Sequence, residues 1–541
     1  MVRENLETFL AHARESYEAP LPHYVEQELR GYLRCGVFAH GFVRAHCDTC
    51  GHDLLVAFSC KGRGACPSCA GRRMANVAAH LVDRVLPPVP VRQWVLSLPF
   101  ELRALAAFRA DVLSALGRHF VEAVFARGRA WARRQKLAGT AGGAVTHVQR
   151  FGSSMNLNVH FHVMVLDGVY IRDQQGRPWF HPLPPPTRDE LQQVVRLAHL
   201  RTVAWLARKG YLGARPLESR SQEATAQTSI EACAAIAMQR GAVRALRDDP
   251  DAELEGAGGG APPPGDHTAV EYEGFNLHAS VAIAGGDDLG RERLMRYGAR
   301  PPLALDRLRR LPGGRIGYRI KKLRDGRAKL RVMTELEFLA RLAAIIPPPR
   351  YPLLRYHGVL APRSPWRRNI IPRPRHTPSA VPTAPVASPC PRAEKPKTHR
   401  PSTARSNTSQ TRRRERSAAS APTHITIPSV PAAAATAPLA LTTGAALLAP
   451  NVLGVKHWSR LLDGLLYAAS PRVDWGNLLR RSFDVDVLAC PKCHGRLRVL
   501  SEVTDPTMVR LMLESVGLPA DAPHAARARD PTDLFAASGV D

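Results

Sequence analysis

The chain has 541 residues, enough for roughly three or four domains, and its excess of Lys and Arg gives a net charge of +28. This charge predicts a polyanionic partner, most simply nucleic acid. No apolar run reaches the roughly 18 to 20 residues that would cross a bilayer, and the first twenty residues lack the apolar core of a signal peptide. We therefore expect a cytoplasmic protein with no membrane partner, in which the ten cysteines are thiols or metal ligands rather than disulfides.

Residues 1–90 combine helical segments with a dense group of cysteines. The pattern C-x2-C-x15-C-x2-C has the spacing of a tetrahedral zinc site, and four sulfur ligands leave no open position for water, so the ion would be structural. Its members are Cys47, Cys50, Cys66 and Cys69. Four further candidates fit the spacing less well, and we interpret them as packing residues: Cys35, Cys60, His46 and His52. Nearby basic residues predict a DNA-contacting face: Lys61, Arg63, Arg72 and Arg73.

A hairpin is predicted within residues 91–365, after a strand at VRQWVLSLPF and a helical stretch through Leu105 to Lys136. It turns at Gly152 to Ser154, and its second strand is NLNVHFHVMVLDG. Alternate residues of a strand point to opposite faces, so His160 and His162 share one face while Leu, Val and Phe fill the other.

The histidine pair predicts an open metal site. Imidazoles at positions i and i+2 can converge on one cation and leave its other positions for water or substrate. A His-apolar-His triplet is weak evidence alone, because a single histidine on a strand is usually a hydrogen-bonded core residue. Pairing across the turn would bring His147 or Gln149 to the same face, whereas a bulge would reverse this; of the two we prefer Gln149 as third ligand. Asp167, at the strand end, could instead cap a turn.

The rest of the chain alternates between ordered and low-complexity segments. Residues 246–267 are acidic and rich in Gly and Pro, which predicts a flexible loop, and a helix follows from near Asp287 to near Gly298. Residues 366–450 are rich in Pro, Ala, Ser and Arg, which predicts a disordered basic linker that either tethers phosphate or is merely soluble.

A small module is predicted at 451–520, before a tail at 521–541. It contains half a metal site, Cys490 and Cys493, to be completed by His494 or by residues from elsewhere; a reduced pair at a tight turn is the alternative. A helix is expected here, with Asp505 as N-cap, Pro506 at its first position and Gly517 as its stop.

Several long motifs in this order resemble one known family. SCKGRGACPSCAGRRMANVAAHL, VQRFGSSMNLNVHFHVMVLDGVY, LMRYGARPPLA and PPPRYPLLRYHGVLAP are similar to segments of the IS91 family and the related insertion sequence common region transposases. DVLACPKCHGRLRVLSEVTDP resembles the family's C-terminal module. The resemblance covers most of residues 20–365. It implies membership of the HUH endonuclease superfamily, whose members nick single-stranded DNA with a tyrosine during rolling-circle transposition.

Carried over by residue, the resemblance implies that His160 and His162 bind a catalytic divalent ion, Mg²⁺ or Mn²⁺, and that Tyr297 is the nucleophile. It also places the four cysteines of the C-x2-C pattern in the family's zinc module. Founding members have a second tyrosine four residues earlier, where this chain has Arg293, so the chain resembles the single-tyrosine branch. Arg293 and Arg300 are candidate phosphate clamps. Rival nucleophiles are Tyr170, Tyr272, Tyr318 and Tyr356.

These features predict an α+β fold with a central antiparallel sheet flanked by helices. The expected function is that of a bacterial, DNA-associated transposase that joins strands through a 5'-phosphotyrosine and needs no ATP, since the chain lacks a G-x-x-x-x-G-K-[ST] loop. The expected partner is DNA, single-stranded or as hairpin element ends. Alternatives are a zinc-dependent DNA-binding regulator without catalysis, and a rolling-circle replication initiator or relaxase.

Overall fold

The structure is a computed structural model that describes residues 1–17, 19–212, 228–238, 243–245, 269–320, 329–372, 478, 480–481 and 486–529. Its α-helices in these ranges are α1 (Val2–Ser16), α2 (His23–Arg34), α3 (Pro67–Arg84), α4 (Phe100–Phe108), α5 (Ala110–Arg134), α6 (Arg188–Arg208), α7 (Ser229–Met238), α8 (Asp288–Gly298), α9 (Glu335–Ile345), α10 (Arg367–Ile370) and α11 (Pro506–Ser515). Short 3-10 helices span Phe38–His40 and Leu305–Arg307.

The strands in the same ranges are β1 (Phe42–Cys47), β2 (Asp53–Ala57), β3 (Val91–Ser97), β4 (Gly143–Phe151), β5 (Leu157–Leu166), β6 (Gly168–Arg172), β7 (Pro178–Pro182), β8 (Val243–Ala245), β9 (Ala269–Tyr272), β10 (Phe275–His278), β11 (Ala282–Ile283), β12 (Leu308–Leu311), β13 (Arg315–Ile320), β14 (Lys329–Thr334), β15 (Leu354–Gly358) and β16 (Leu497–Val503). The loop predicted at 246–267 lies outside the described residues, as does the predicted linker from residue 373 onward.

The central sheet has the strand order β15-β4-β5-β3-β10-β9, and β11 also pairs with β3. Every pair in it is antiparallel. This confirms the predicted α+β class with an antiparallel sheet and helices. The strand with the two histidines, β5, lies between β3 and β4, so both of its edges are hydrogen-bonded.

Helices cover both faces of β5, because its alternating residues are apolar on one side and mixed on the other. Phe161 belongs to the main core on the first face, where it passes so close to Gly117 of α5 that a Cβ there would meet its ring at 3.1 Å. On the second face Met164 packs in a separate apolar cluster with Leu81 of α3 and Met295 of α8. The predicted division of this strand into two faces is confirmed.

Helix α8 lies across the histidine face and has the predicted bounds. Asp287 is its N-cap and accepts a hydrogen bond from the Gly290 amide at 2.7 Å. The helix ends at Gly298, where a Cβ would lie 2.9 Å from the His147 ring and 2.9 Å from the Met164 methyl group. Glycine therefore allows the last turn to sit directly on β4 and β5.

Smaller sheets complete the described fold. Strands β12, β13, β14 and β8 form one, β6 and β7 form a hairpin, and β16, β1 and β2 form a third. Within the C-terminal range predicted as a small module, β16 pairs antiparallel with β1 of the N-terminal part. Helix α11 has the predicted N-cap, Asp505, which accepts from the Met508 amide, and Gly517 follows with φ 69°. No helix in the described ranges is long and apolar enough to span a membrane.

Candidate active site and metal centres

His160 and His162 form the centre of the candidate active site. Their rings lie with centroids 4.9 Å apart, and both side chains are buried. The strand register places Gln149 opposite His160 and His147 opposite His162, as the hairpin prediction required. Two neighbouring imidazoles on an inner strand are thus held rigidly on the face that α8 covers.

The hydrogen bonds around the two rings suit a bound cation. Nδ1 of His160 donates to the Asn158 carbonyl at 2.9 Å, which leaves Nε2 as a lone-pair donor. The Gln93 amide nitrogen lies 2.8 Å from Nδ1 of His162. Turning that amide by 180° would present its oxygen to Nδ1–H and leave Nε2 as the lone-pair donor. The Nε2 atom of His162 is then buried without a hydrogen-bond partner among the described residues. Because an orphaned buried nitrogen is costly, these residues fit a metal ion.

Both imidazoles are neutral near pH 7. Burial lowers the pKa of His160 to about 4, and the positive charges of Arg300 and Arg103 act in the same direction. Burial also holds the pKa of His162 well below its ordinary value, aided by His160 and Arg300. Neutral imidazole is the form that binds a cation, so the site does not require deprotonation before metal binding.

Tyr297 of α8 contacts one member of this pair, His162. Its ring is perpendicular to that of His162, at 87° and 5.3 Å between centroids, and the side chain is 45% exposed. The guanidinium carbon of Arg300 lies 5.0 Å from the centroid of the same ring. Tyr297 therefore presents an accessible phenol beside two potential metal ligands and one cation.

The rival tyrosines lie in other surroundings. Tyr170 and Tyr318 are buried, and burial raises the pKa of Tyr170 to about 12. The ring of Tyr272 contacts His199, and Arg367 lies over the ring of Tyr356. Among the described residues, Tyr297 is the candidate whose ring contacts His162.

Gln149 holds the end of α8. Its amide nitrogen donates to the carbonyls of Tyr297 at 2.8 Å and Gly298 at 3.0 Å, and its oxygen accepts from Arg300 at 3.2 Å. These contacts favour a positioning role and do not support the preference for Gln149 as third ligand over His147. Nε2 of His147 is buried without a partner in the described part of the chain.

The third ligand of the histidine pair stays a prediction. Among the described residues, no group of three His, Cys, Asp or Glu ligand atoms includes His160 or His162. Asp167, the acidic residue at the end of the histidine strand, pairs with Arg92 at 2.8 Å.

The predicted DNA-binding arginines differ in their contacts. Arg293 is exposed one helical turn before Tyr297, so both residues lie on one face of α8. Arg63 donates to the carbonyls of Pro348 and Tyr351, and Arg73 donates to the carbonyls of Lys61, Gly62 and Arg63. These bonds give Arg63 and Arg73 a role in the fold. DNA contact by Lys61, Arg63, Arg72 and Arg73 stays a prediction.

Eight of the nine described cysteines form two separate groups, each with its sulfur atoms within 4.8 Å of one another. The first group is Cys35, Cys60, Cys66 and Cys69, and the second is Cys47, Cys50, Cys490 and Cys493. In the first, Cys66 and Cys69 lie at the N-terminus of α3, where the helix dipole stabilises thiolate, and Cys35 lies at the end of α2.

The prediction that Cys47, Cys50, Cys66 and Cys69 share one ion is wrong in its grouping. Cys47 ends β1 and Cys50 lies in the turn after it, whereas Cys66 and Cys69 lie at the start of α3. Each of these two pairs lies next to a different second pair of cysteines. Cys35 and Cys60, interpreted above as packing residues, are members of the first group, whereas His46, His52 and His494 belong to neither.

Comparison with protein families gave two matches. Residues 1–98 match a model described as "Transposase zinc-binding domain" of the IS91 type, and residues 143–368 match one described as "Putative transposase". The chain belongs to the IS91 family of transposases. No curated protein and no solved structure matched it.

In this transposase the site residues differ in whether they lie in a matched range. His160, His162 and Tyr297 lie in the second range, whereas Cys490 and Cys493 lie outside both. The zinc-binding match and the cysteine groups support structural zinc, and the family makes DNA the partner. The contact of His162 with Gln93 could not be found from the sequence, because it depends on the pairing of β3 with β5.

Proposed function

We propose that this transposase nicks and rejoins single-stranded DNA through a 5'-phosphotyrosine on Tyr297, in the manner of the HUH endonucleases, during rolling-circle transposition. The observation that carries the proposal is the contact between the rings of Tyr297 and His162, at 5.3 Å between centroids. Tyr297 comes from α8 and His162 from β5, and the packing of α8 on β5 brings a phenol next to an imidazole that can bind a metal ion.

His160 and His162 would hold the divalent ion, Mg²⁺ or Mn²⁺, through their Nε2 atoms. When bound, the ion would polarise the scissile phosphate and stabilise the charge that develops on it. The chain itself fixes both rings from behind, through the Asn158 carbonyl and the Gln93 amide. This arrangement orients the lone pairs before DNA arrives.

Tyr297 would perform the covalent step. Its oxygen attacks phosphorus as the phenol proton passes to solvent, a Tyr-O-P bond forms, and the P-O3' bond breaks. The 3' oxygen leaves with the bonding pair and takes up a proton to become a free hydroxyl. Arg300, whose guanidinium lies over the phenol ring, would stabilise phenolate and phosphate charge together. Attack of a 3' hydroxyl on the phosphotyrosine reverses these steps and joins strands without ATP.

The experiment is a covalent-adduct assay. Wild-type protein is incubated with end-labelled single-stranded oligonucleotides from candidate element ends, with Mg²⁺ or Mn²⁺, and the adduct is resolved on a denaturing gel. We expect an adduct from the wild type and from Tyr356→Phe, and none from Tyr297→Phe. Wild-type protein that binds these oligonucleotides yet yields no adduct with either ion would instead favour a DNA-binding regulator.

A further inference from the structure

The second cysteine group connects the two ends of the described chain. Sγ of Cys47 lies 3.5 Å from Sγ of Cys493, 446 residues away in sequence, and Sγ of Cys50 lies 3.6 Å from Sγ of Cys490, 440 residues away. Cys47 and Cys490 are fully buried. Neither member of the C-terminal pair falls in the matched zinc-binding range, which ends at residue 98.

The sulfur separations match metal coordination. A disulfide would place two sulfur atoms about 2.05 Å apart. Four thiolates at the usual zinc-sulfur distance of about 2.3 Å from a tetrahedral centre lie about 3.8 Å from one another. The observed 3.5 and 3.6 Å between partners are close to this second value. The first cysteine group has the same spacing, 3.5 to 3.7 Å.

The two halves of the second group have the same backbone turn. In each C-x2-C segment, the residue after the second cysteine has a positive φ, 70° at Gly51 and 59° at His494. Its amide donates to the carbonyl of the first cysteine, and the first cysteine's amide donates to the carbonyl five residues on. These bonds are Gly51 to Cys47 and His494 to Cys490, both 2.9 Å, with Cys47 to His52 at 2.9 Å and Cys490 to Gly495 at 2.7 Å.

The surrounding contacts keep the two turns face to face. Strand β16 pairs with β1 in the register Cys47 with Leu497, so the C-terminal turn emerges next to the N-terminal one. A Cβ on Gly495 would lie 3.2 Å from Sγ of Cys47 and 2.7 Å from the hydroxyl of Thr49. Glycine therefore permits the close approach that four thiolates around one ion require.

We propose that Cys47, Cys50, Cys490 and Cys493 bind one structural zinc ion that fastens the C-terminal strand to the N-terminal sheet, while the first cysteine group binds a separate ion. The C-terminal C-x2-C pair is thus the missing half of an N-terminal zinc site. Any copy of the chain that ends before Cys490 has an incomplete site at Cys47 and Cys50.

The first test is the zinc content of the full chain, measured by mass spectrometry of the metal after dialysis. The wild type should hold one ion in each group, and Cys490→Ser with Cys493→Ser should lose one equivalent. Cys233→Ala, a buried thiol outside both groups, should lose none. A double variant with the wild-type zinc content would overturn the proposal. The single variant Cys493→His controls for misfolding, because histidine can also bind zinc. This variant should hold the ion that the double serine variant loses, and its Co²⁺ form should have a visible spectrum shifted from that of the wild type.

The second test asks whether the ion joins the two ends. A protease recognition sequence is inserted after residue 400 of the full chain, and the cleaved protein is passed through a sizing column. The two pieces should co-elute when zinc is bound and separate after chelation or in the Cys490→Ser, Cys493→Ser variant. Co-elution that survives complete removal of zinc, or separation while the ion stays bound, would overturn the fastening role.

Discussion

The amide nitrogen of Gln149 donates hydrogen bonds to the carbonyls of Tyr297 and Gly298. A side chain of β4, in register with the histidine strand, therefore fixes the last turn of the helix that carries the proposed nucleophile. The position of α8 on the sheet thus decides whether the phenol reaches the imidazoles. Variants that shift α8, or that change the orientation of the histidine rings, test the proposed chemistry.

Gln93→Leu should weaken binding of the catalytic ion. The substitution removes the side chain that fixes Nδ1 of His162, and loss of such a supporting hydrogen bond weakens metal binding by about 10- to 100-fold. The activity should return at high Mn²⁺ concentration, because the ligands themselves are intact. Titration of adduct formation against Mn²⁺ measures the shift. Gln192→Leu, on α6, is the matched control and should leave the midpoint unchanged.

Gly298→Ala should impair both stability and strand cleavage. The new methyl group would meet the buried His147 ring and the Met164 methyl group at 2.9 Å, which lifts the end of α8 from the sheet. Overpacking of this kind costs about 1 to 3 kcal/mol of unfolding free energy. Urea unfolding and the adduct assay measure the two effects. Gly286→Ala, where the added methyl meets nothing within 4 Å, is the control, and equal behaviour of the two variants would contradict this packing argument.

Arg481→Gln should loosen α8 from the C-terminal part of the chain. Arg481 pairs with Glu292 of α8 at 2.5 Å and with Asp83 of α3 at 2.7 Å, and Glu292 is only 4% exposed. Glu292 keeps Arg296 as a partner, so we expect a loss of about 1 to 2 kcal/mol rather than the full cost of an unpaired buried charge. Thermal unfolding tests this. Arg510→Gln, which removes exposed ion pairs on α11, should have no measurable effect.

Stability should fall in mild acid partly through His357. Burial, with a smaller effect from Arg355, lowers the pKa of His357 from 6.5 to about 4, and its Nε2 lies 2.9 Å from the Thr146 hydroxyl. Between pH 6.5 and pH 4 the unfolded chain therefore binds a proton at His357 that the folded chain excludes. The contribution of neutral His357 to the free energy of unfolding is complete above pH 6.5 and is lost as the pH falls toward 4. His357→Asn should make unfolding free energy between about pH 7 and about pH 5 less pH-dependent, by roughly 1 to 2 kcal/mol. An unchanged slope would contradict the assignment.

Local patterns in the sequence predicted the parts of the site that depend on one or two neighbouring elements. Alternation placed His160 and His162 on one face, the hairpin set their register against His147 and Gln149, and capping residues bounded α8. The resemblance to a family, rather than any local pattern, selected Tyr297.

The remaining features depend on contacts between distant segments, which spacing does not encode. All three C-x2-C pairs look alike in sequence, and their spacing predicts that the nearest two share an ion, whereas the fold pairs Cys47 and Cys50 with residues 440 or more positions away. The preference for Gln149 as a ligand failed to anticipate its bonds to the end of α8. The position of Arg63 in the sequence likewise does not indicate that its guanidinium donates to the carbonyl of Tyr351.

The most direct measurement is the identity of the residue joined to DNA. Wild-type protein is trapped with a single-stranded element-end oligonucleotide, digested with nuclease and protease, and the modified peptide is sequenced by mass spectrometry. A nucleotide linked by its 5' phosphate to Tyr297 is the predicted result. A nucleotide on Tyr170, Tyr272, Tyr318 or Tyr356, with Tyr297 unmodified, would contradict the proposed chemistry.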